Sequence, residues 1–454
     1  MGGRLSWFGI FRLGLVQTAL GAIVVLTTST LNRVMVVEWA LPATLPGLLV
    51  GLHYAVQISR PRFGYGSDVH GRRTPWIIGG MLVLALGGFL AALATAWMGS
   101  RPSAGIGLAF VAFVMIGLGV GAAGTSLLAL LAKQVDADRR PAAATIVWLM
   151  MIAGFVITAG LAGQFLDPFS PERLVAVSGV TSAAAFVLAV VAVRGLEHPG
   201  AGAAGAGSVE AATAEAAEKP PFMAVLRETW SDTRARRFTV FVFFSMLAYS
   251  AQDLILEPFA GIAFGFTPGQ STQLGGVQYA GVLVGMILVG VAASSIFGRQ
   301  FGSLRGWTTA GCIASGLALL GLTAAGLSGP PWPLHTSVFA LGVANGAFAV
   351  SAIGMMMALA GQGQTSREGT RMGLWGGAQA IAFGLGGFLG AAGVDVTRIA
   401  TGSPVMAYAV VFALQALLFG YSARLIAVID RPARAHARVA SVDAQGYLSS
   451  AREK

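Results

Sequence analysis

The chain has 454 residues, of which 55% are hydrophobic and only 11% charged, and its mean hydropathy is +0.74. A soluble domain carries about 25% charged residues, so this composition excludes one and points to a protein dissolved in lipid. The formal net charge of +10 does not imply nucleic acid as a partner, because the basic residues are sorted by loop instead of being gathered on one face.

Twelve apolar stretches follow one another. Six fall at 11–38, 43–59, 75–98, 104–132, 142–166 and 174–194, and six at 238–260, 272–298, 307–328, 335–361, 371–396 and 404–427. Nearly all reach the roughly 20 residues that cross about 30 Å of hydrocarbon as helix, the second being short. Lipid offers no partners to backbone N–H and C=O groups, so each stretch is predicted to be a helix. The expected organisation is a six-helix domain over 1–196, a linker over 197–236, a second six-helix domain over 237–428 and a tail over 429–454. The Ala/Gly-rich part of the linker lacks the large side chains that offset chain entropy. A segment at 222–236, with Phe222, Leu226 and Trp230 against Arg227, Arg234 and Arg236, reads as an amphipathic surface helix.

Of 29 Lys and Arg residues, 25 fall in segments that share one side if the N-terminus is cytoplasmic, and only Arg101, Arg173 and Arg398 fall opposite. This positive-inside bias predicts a multi-pass membrane protein with cytoplasmic termini and the bilayer as the partner of its basic faces. The first stretch is too long for a secretory signal and carries Asn32 and Arg33 in place of a cleavage site. Sixty-three glycines, some spaced as in Gly117-x-x-x-Gly121 and Gly386-x-x-x-Gly390, suit close helix packing in lipid. A single cysteine, Cys312, excludes an intramolecular disulfide.

The halves repeat. Arg140 and Trp148 lead into span 5 as Arg367 and Trp375 lead into span 11, and Gly160 and Gly387 each lie twelve residues past the Trp. Val50-Gly51 followed by Phe63-Gly64 recurs as Val284-Gly285 followed by Phe297-Gly298. Between spans 2 and 3 stands Gly64-Tyr65-Gly66-Ser67-Asp68-Val69-His70-Gly71-Arg72-Arg73. Gly71 permits a tight turn, Asp68 suits a helix N-terminus, and Arg72 and Arg73 suit acids or helix C-termini. The loop resembles the G-x-x-x-D-R-x-G-R-R motif of the major facilitator superfamily, with Val69 where that family has Arg. The resemblance implies an all-α membrane fold of 12 transmembrane helices in two pseudo-symmetric six-helix bundles. It also implies a gating role for Gly64, Asp68, Gly71, Arg72 and Arg73.

Charged residues inside a membrane mark function or ion pairing. Here they are Arg33 and Glu38 in span 1 and Asp253 and Glu257 in span 7, joined by the polar His53, Gln57 and Asn345. Asp253 and Glu257 lie four apart on one helical face, and Arg33 is the one basic residue at membrane depth. Arg33 is therefore predicted to pair with Asp253 or Glu257 across the pseudo-twofold, while a carboxylate could instead ligate a metal in a bound molecule. The segments Leu31-Asn32-Arg33-Val34-Met35-Val36-Val37-Glu38, Gln252-Asp253-Leu254-Ile255-Leu256-Glu257-Pro258 and Arg371-Met372-Gly373-Leu374-Trp375-Gly376-Gly377-Ala378-Gln379 are similar to the PucC/LhaA family. The resemblance spans about 5–196 and 223–428 and departs after Pro258, which Phe-Ala-Gly follows.

That resemblance implies an assembly factor of light-harvesting complexes with bacteriochlorophyll a or a precursor as cargo. Antenna polypeptides and pigment-synthesis enzymes are the implied partners. His53 or Glu257 is the candidate ligand of the pigment magnesium, and no intrinsic metal is expected. The rival reading is a secondary transporter of a small solute, proton-coupled. With no nucleotide-binding loop, HExxH-type site or Ser/His/Asp arrangement, no enzymatic role is expected.

Overall fold

The computed structural model describes residues 5–60, 63, 72–136, 139–197, 230–292, 303–360 and 368–428. Gly64, Asp68 and Gly71 of the predicted gating loop lie outside these residues, as do Phe297, Gly298, the tail and linker residues 198–229. In the first half, α1 runs Trp7–Glu38, α2 Thr44–Val56, α3 Thr74–Met98, α4 Pro102–Gln134, α5 Arg140–Leu166 and α6 Pro171–Val193. In the second, α7 runs Thr233–Phe264, α8 Pro268–Ala292, α9 Leu304–Ser328, α10 Leu334–Ala360, α11 Glu368–Thr401 and α12 Pro404–Val428.

Among the described residues, eleven of these helices are long and apolar enough to cross a membrane. The exception is α2, at 13 residues, which only the 3-10 turn Gln57–Ser59 extends. At 1.5 Å per residue it covers about 20 Å, so its ends need polar partners from elsewhere. Helix starts follow from local chemistry. Ser6, Ser170, Asp232 and Ser303 accept hydrogen bonds from the first turns of α1, α6, α7 and α9. Proline stands in the first turn of α3, α4, α5 and α6, where its missing N–H costs nothing.

Helix pairing exposes the repeat. In the first half α3 packs on α4, α1 on α5 and α6, α2 on α4, and α3 on α6. Adding six to each number gives the second-half pairs: α9 on α10, α7 on α11 and α12, α8 on α10, and α9 on α12. Between halves, α5 packs on α8 and its counterpart α11 on α2, while α1 faces α7. Each half has its own apolar core, one around Ile10, Leu84, Phe113 and Leu127, the other around Phe241, Phe259, Phe348 and Phe412. Leu254 of α7 crosses over and belongs to the first core. Outward faces carry Val180, Leu417 and Ile399 at 70, 69 and 85% exposure, as a lipid-facing shell requires.

Candidate functional site

The functional geometry lies between the halves, and it starts from an irregularity in α1. Two π-helical turns, Leu26–Thr30 and Val34–Glu38, interrupt the helix around Leu31–Arg33. In such a turn each N–H reaches five residues back, so side chains five apart align. Arg33 accordingly donates to Glu38, five residues on, through the second wide turn. The same guanidinium donates at 2.6 Å to the carbonyl of Phe266, in the connection between α7 and α8. Asn32 donates to the Leu254 carbonyl of α7, and the Thr30 and Thr272 hydroxyls meet at 3.0 Å.

These contacts correct the expected clasp. Arg33 does join the halves, but through a backbone carbonyl, and its acid is Glu38 of its own helix. The π spacing supplies the reason, since it turns Glu38 toward Arg33 before either α7 acid is reached. Glu257 remains an electrostatic neighbour of Arg33 and lies near the Ser29 hydroxyl. It is 2% exposed, with Oε1 against Gly275 of α8 and Oε2 without a partner.

Asp253, one turn below, differs in kind. It is half-buried, its carboxylate accepts from the Gln278 amide at 3.4 Å, and it has no ion pair among the described residues. Tyr54 of α2, Tyr249 of α7 and Tyr279 of α8 lie within its electrostatic reach. Phe383 of α11 bridges Tyr54 and Tyr249 at ring separations of 5.7 and 5.8 Å, and Phe155 of α5 meets Tyr279 at 4.8 Å. Tyr54 and Tyr279 lie ten residues past Thr44 and Gly269. That is about 15 Å down, near the middle of the hydrocarbon. Aromatic side chains from five helices thus gather at mid-depth near a partly exposed carboxylate.

The remaining sequence candidates sit apart from this cluster. On α2, Arg60 donates to Gln57 Oε1, which leaves the Gln57 amide N–H to donate to His53 Nε2 at 2.8 Å. The imidazole proton then resides on Nδ1, which is buried without a partner. His53 therefore presents a donor, not the lone pair a metal ligand needs. Asn345 accepts from Ser315 at 2.8 Å inside the second core, with its Nδ2 unpartnered. Of the gating loop, Arg72 and Arg73 are described, and Arg73 opens α3. Its N–H and that of Thr74 donate to Glu197 at 2.7 and 2.8 Å.

Two acids that sequence reading missed complete the seam. Asp395 of α11 accepts from the Ala43 and Thr44 N–H groups, at 3.1 and 2.7 Å, and so caps the short α2. Asp167, just past α5, accepts from the Gly269 N–H at 3.1 Å and the Thr267 hydroxyl at 2.5 Å, capping α8. Each cap crosses between halves, where an anion suits the positive end of the helix dipole. The repeat carried a signal for them: Phe155 precedes Asp167 by twelve residues, as Phe383 precedes Asp395. A separate groove of about 800 Å³ runs along the outer face of α1, α5 and α6 past Thr18, Gly154 and Val180.

The family described as PUCC protein matches residues 30–433. The "Bacteriochlorophyll synthase 44.5 kDa chain" of Rhodobacter capsulatus is 51% identical over 443 residues, 96% of this chain and 99% of that one. "Protein PucC" of Cereibacter sphaeroides is 29% identical, over 90% of this chain and 88% of its own length. The expected absence of an enzymatic role is corrected by the first of these, since a relative identical at half its positions carries the name of a synthase chain. Among solved structures, a bacterial homologue of the human drug peptide transporters PepT1 and PepT2 superposes with a TM-score of 0.66 at 14% identity, over 95% of this chain and 99% of that one. The nucleoside transporter NupG gives 0.65 at 14% identity, over 93% and 99%. These likenesses establish the transporter-type fold expected from the loop and the repeat.

Proposed function

The chain belongs to the PUCC protein family, and from that premise we propose that it takes up bacteriochlorophyll, or a precursor, within the membrane and passes it to light-harvesting antenna polypeptides. The observation that carries this reading is the partly exposed Asp253 near a cluster of aromatic side chains between the halves. Flat aromatic walls around one polar group suit a large apolar molecule with a polar centre better than a small hydrated solute. The name of the 51% identical relative supports a pigment as that molecule. Pigment-synthesis enzymes on the donor side and antenna polypeptides on the acceptor side are the matching partners.

The same reading places the chain in the bacterial inner membrane with both termini and the linker in the cytoplasm, as the charge bias supports. The caps by Asp167 and Asp395 then lie on the periplasmic side. The domain limits 1–196 and 237–428 are part of this proposal. Purification from a phototrophic host followed by an absorption spectrum tests it, together with antenna assembly in a strain lacking the gene. Co-purifying pigment and impaired assembly are expected. A colourless protein that moves a small solute into liposomes would replace this function with the transport that the fold also permits.

A further inference from the structure

Three groups at the seam could meet an electropositive centre of a bound macrocycle, and their surroundings differ. His53 has Nε2 engaged by Gln57 and keeps its proton on Nδ1, so it has no free lone pair. Glu257 is 2% exposed, and its Oε1 is lodged against Gly275, where a Cβ would come within 2.8 Å. A macrocycle has no approach to it there. Asp253 is the least buried of the three, and among the described residues its one side-chain hydrogen bond is the long 3.4 Å contact from Gln278.

We propose that Asp253 ligates the magnesium of the bound pigment, with Tyr54, Tyr249 and Tyr279 as walls that hold the flat ring. The proposal rests on the pigment-handling reading above and assigns the ligand within it. An anionic oxygen at mid-membrane depth is costly unless a positive partner reaches it. Arg33 is committed to Glu38 and the Phe266 carbonyl, and Arg60 to Gln57, so neither supplies that partner. Magnesium prefers hard oxygen ligands, and a carboxylate meets that preference where an imidazole donor does not. The tyrosine rings within electrostatic reach of the carboxylate would cover the rest of the macrocycle.

The test uses the purified full-length protein, titrated with bacteriochlorophyll a and with its magnesium-free counterpart, binding being followed by absorption. Wild type is expected to prefer the magnesium form by at least about tenfold. Asp253→Asn should bring the two affinities together, and Asp253→His, which offers a nitrogen at similar reach, should restore the preference with a shifted absorption band. Tyr249→Ala should weaken both macrocycles to the same extent. Should Asp253→Asn not accumulate, Asp253→His carries the test, and an unshifted band in that variant would sink the assignment. Asp253→Asn with the full wild-type preference would sink it too, as would a preference lost only in Glu257→Gln. A wild-type chain that binds neither macrocycle brings down the pigment-handling reading itself, a failure distinct from a misassigned ligand.

Discussion

Along α5 and α8 the two halves meet backbone to backbone, for a Cβ on Gly269 would lie 2.3 Å from the Gly163 carbonyl oxygen. Along the counterpart seam, α11 and α2, the approach is close at one end, where a Cβ on Gly47 would lie 2.9 Å from the Ala391 Cβ, and ordinary further along, where a Cβ on Gly51 would sit 3.5 Å from the Gly384 carbonyl oxygen. The apolar filling differs in the same direction. Ile152, Ala159, Ala162, Tyr279, Val282 and Met286 pack the first seam past mid-depth, whereas Ala43, Ala391 and Val36 form a small cluster at one end of the second. Both seams carry the same device, an Asp on the N-terminus of the facing helix. The first cap is backed by close packing over a long stretch, and the second by a smaller apolar cluster and the Tyr54–Phe383 ring contact. The repeat thus yields one edge packed over most of its length and one packed over less of it, and the caps by Asp395 and Asp167 are expected to differ in importance despite the matching chemistry.

The largest effect expected is from Arg33→Ala, because Arg33 holds the turn that feeds Thr267 into the first seam. Removing one partner of a buried pair costs about 3–5 kcal/mol. A thermal melt in detergent should show that loss, and the double change Arg33→Ala with Glu38→Gln should recover part of it. Recovery from neutralising Asp253 and Glu257 instead would contradict the pairing seen here. Next comes Gly269→Ala, which must push α5 and α8 apart and should cost about 1–3 kcal/mol, as overpacking does. A stability equal to wild type would remove the contrast between a tight seam and a loose one.

The caps test that contrast directly. Losing a helix cap costs about 0.5–2 kcal/mol, or roughly 2- to 30-fold in an opening equilibrium. With Thr272→Cys as reporter, a membrane-impermeant maleimide should label Asp395→Ala faster than Asp167→Ala, and both faster than the parent. The native Cys312 is 0% exposed and gives little background. Equal rates for the two cap variants would mean that the seams are equally held.

The smallest effect belongs to Glu197, whose cap on α3 stays inside one half. Burial alone would raise its carboxyl, yet the N–H groups of Thr74 and Arg73 and the Arg73 charge hold it below the usual carboxylate range. The stabilisation is therefore complete above the ordinary carboxylate pKa and fades as pH falls through the lower folded value. Glu197→Gln should cost about 0.5–1 kcal/mol near neutral pH. The gap to wild type should close in acid, with no change in maleimide labelling. A labelling change would show that this cap also acts between the halves.

Much of the fold was open to sequence reading because lipid imposes a length and a composition on each helix. The count and the pseudo-repeat followed from apolar runs and from Trp148 and Trp375 at matched positions. The short α2 was visible too, since the 43–59 stretch is meagre. The site was legible only in part. Asp253, Glu257, Arg33 and Glu38 stood out as charges in apolar surroundings, yet their pairing depended on wide turns that no residue preference announces. Asp167 and Asp395 stand at the edges of the apolar stretches 142–166 and 371–396, where an acid draws no attention, and a cap on a helix from the other half is a tertiary fact. Tyr54, Tyr249 and Tyr279 looked like any aromatic in a membrane span until the seam brought them around one carboxylate.

The wide turns of α1 also bear on how the sequence can vary. Each adds one residue beyond the α-helical count, and one residue in an α-helix is about 100° of rotation. Deleting a single residue from Leu26–Thr30 would let that turn relax to α geometry with hardly any change in helix length. Everything downstream would keep its heading, so that Asn32 and Arg33 would still aim at Leu254 and Phe266, whereas the same deletion from the regular α segment Trp7–Val25 would swing them about 100° away. In an alignment such a deletion would look minor, one gap in a run of Thr and Ser. In the molecule it would be minor too, while a gap a few residues earlier, in the regular helix, would be a change of phase that turns the polar face of α1 away from the other half.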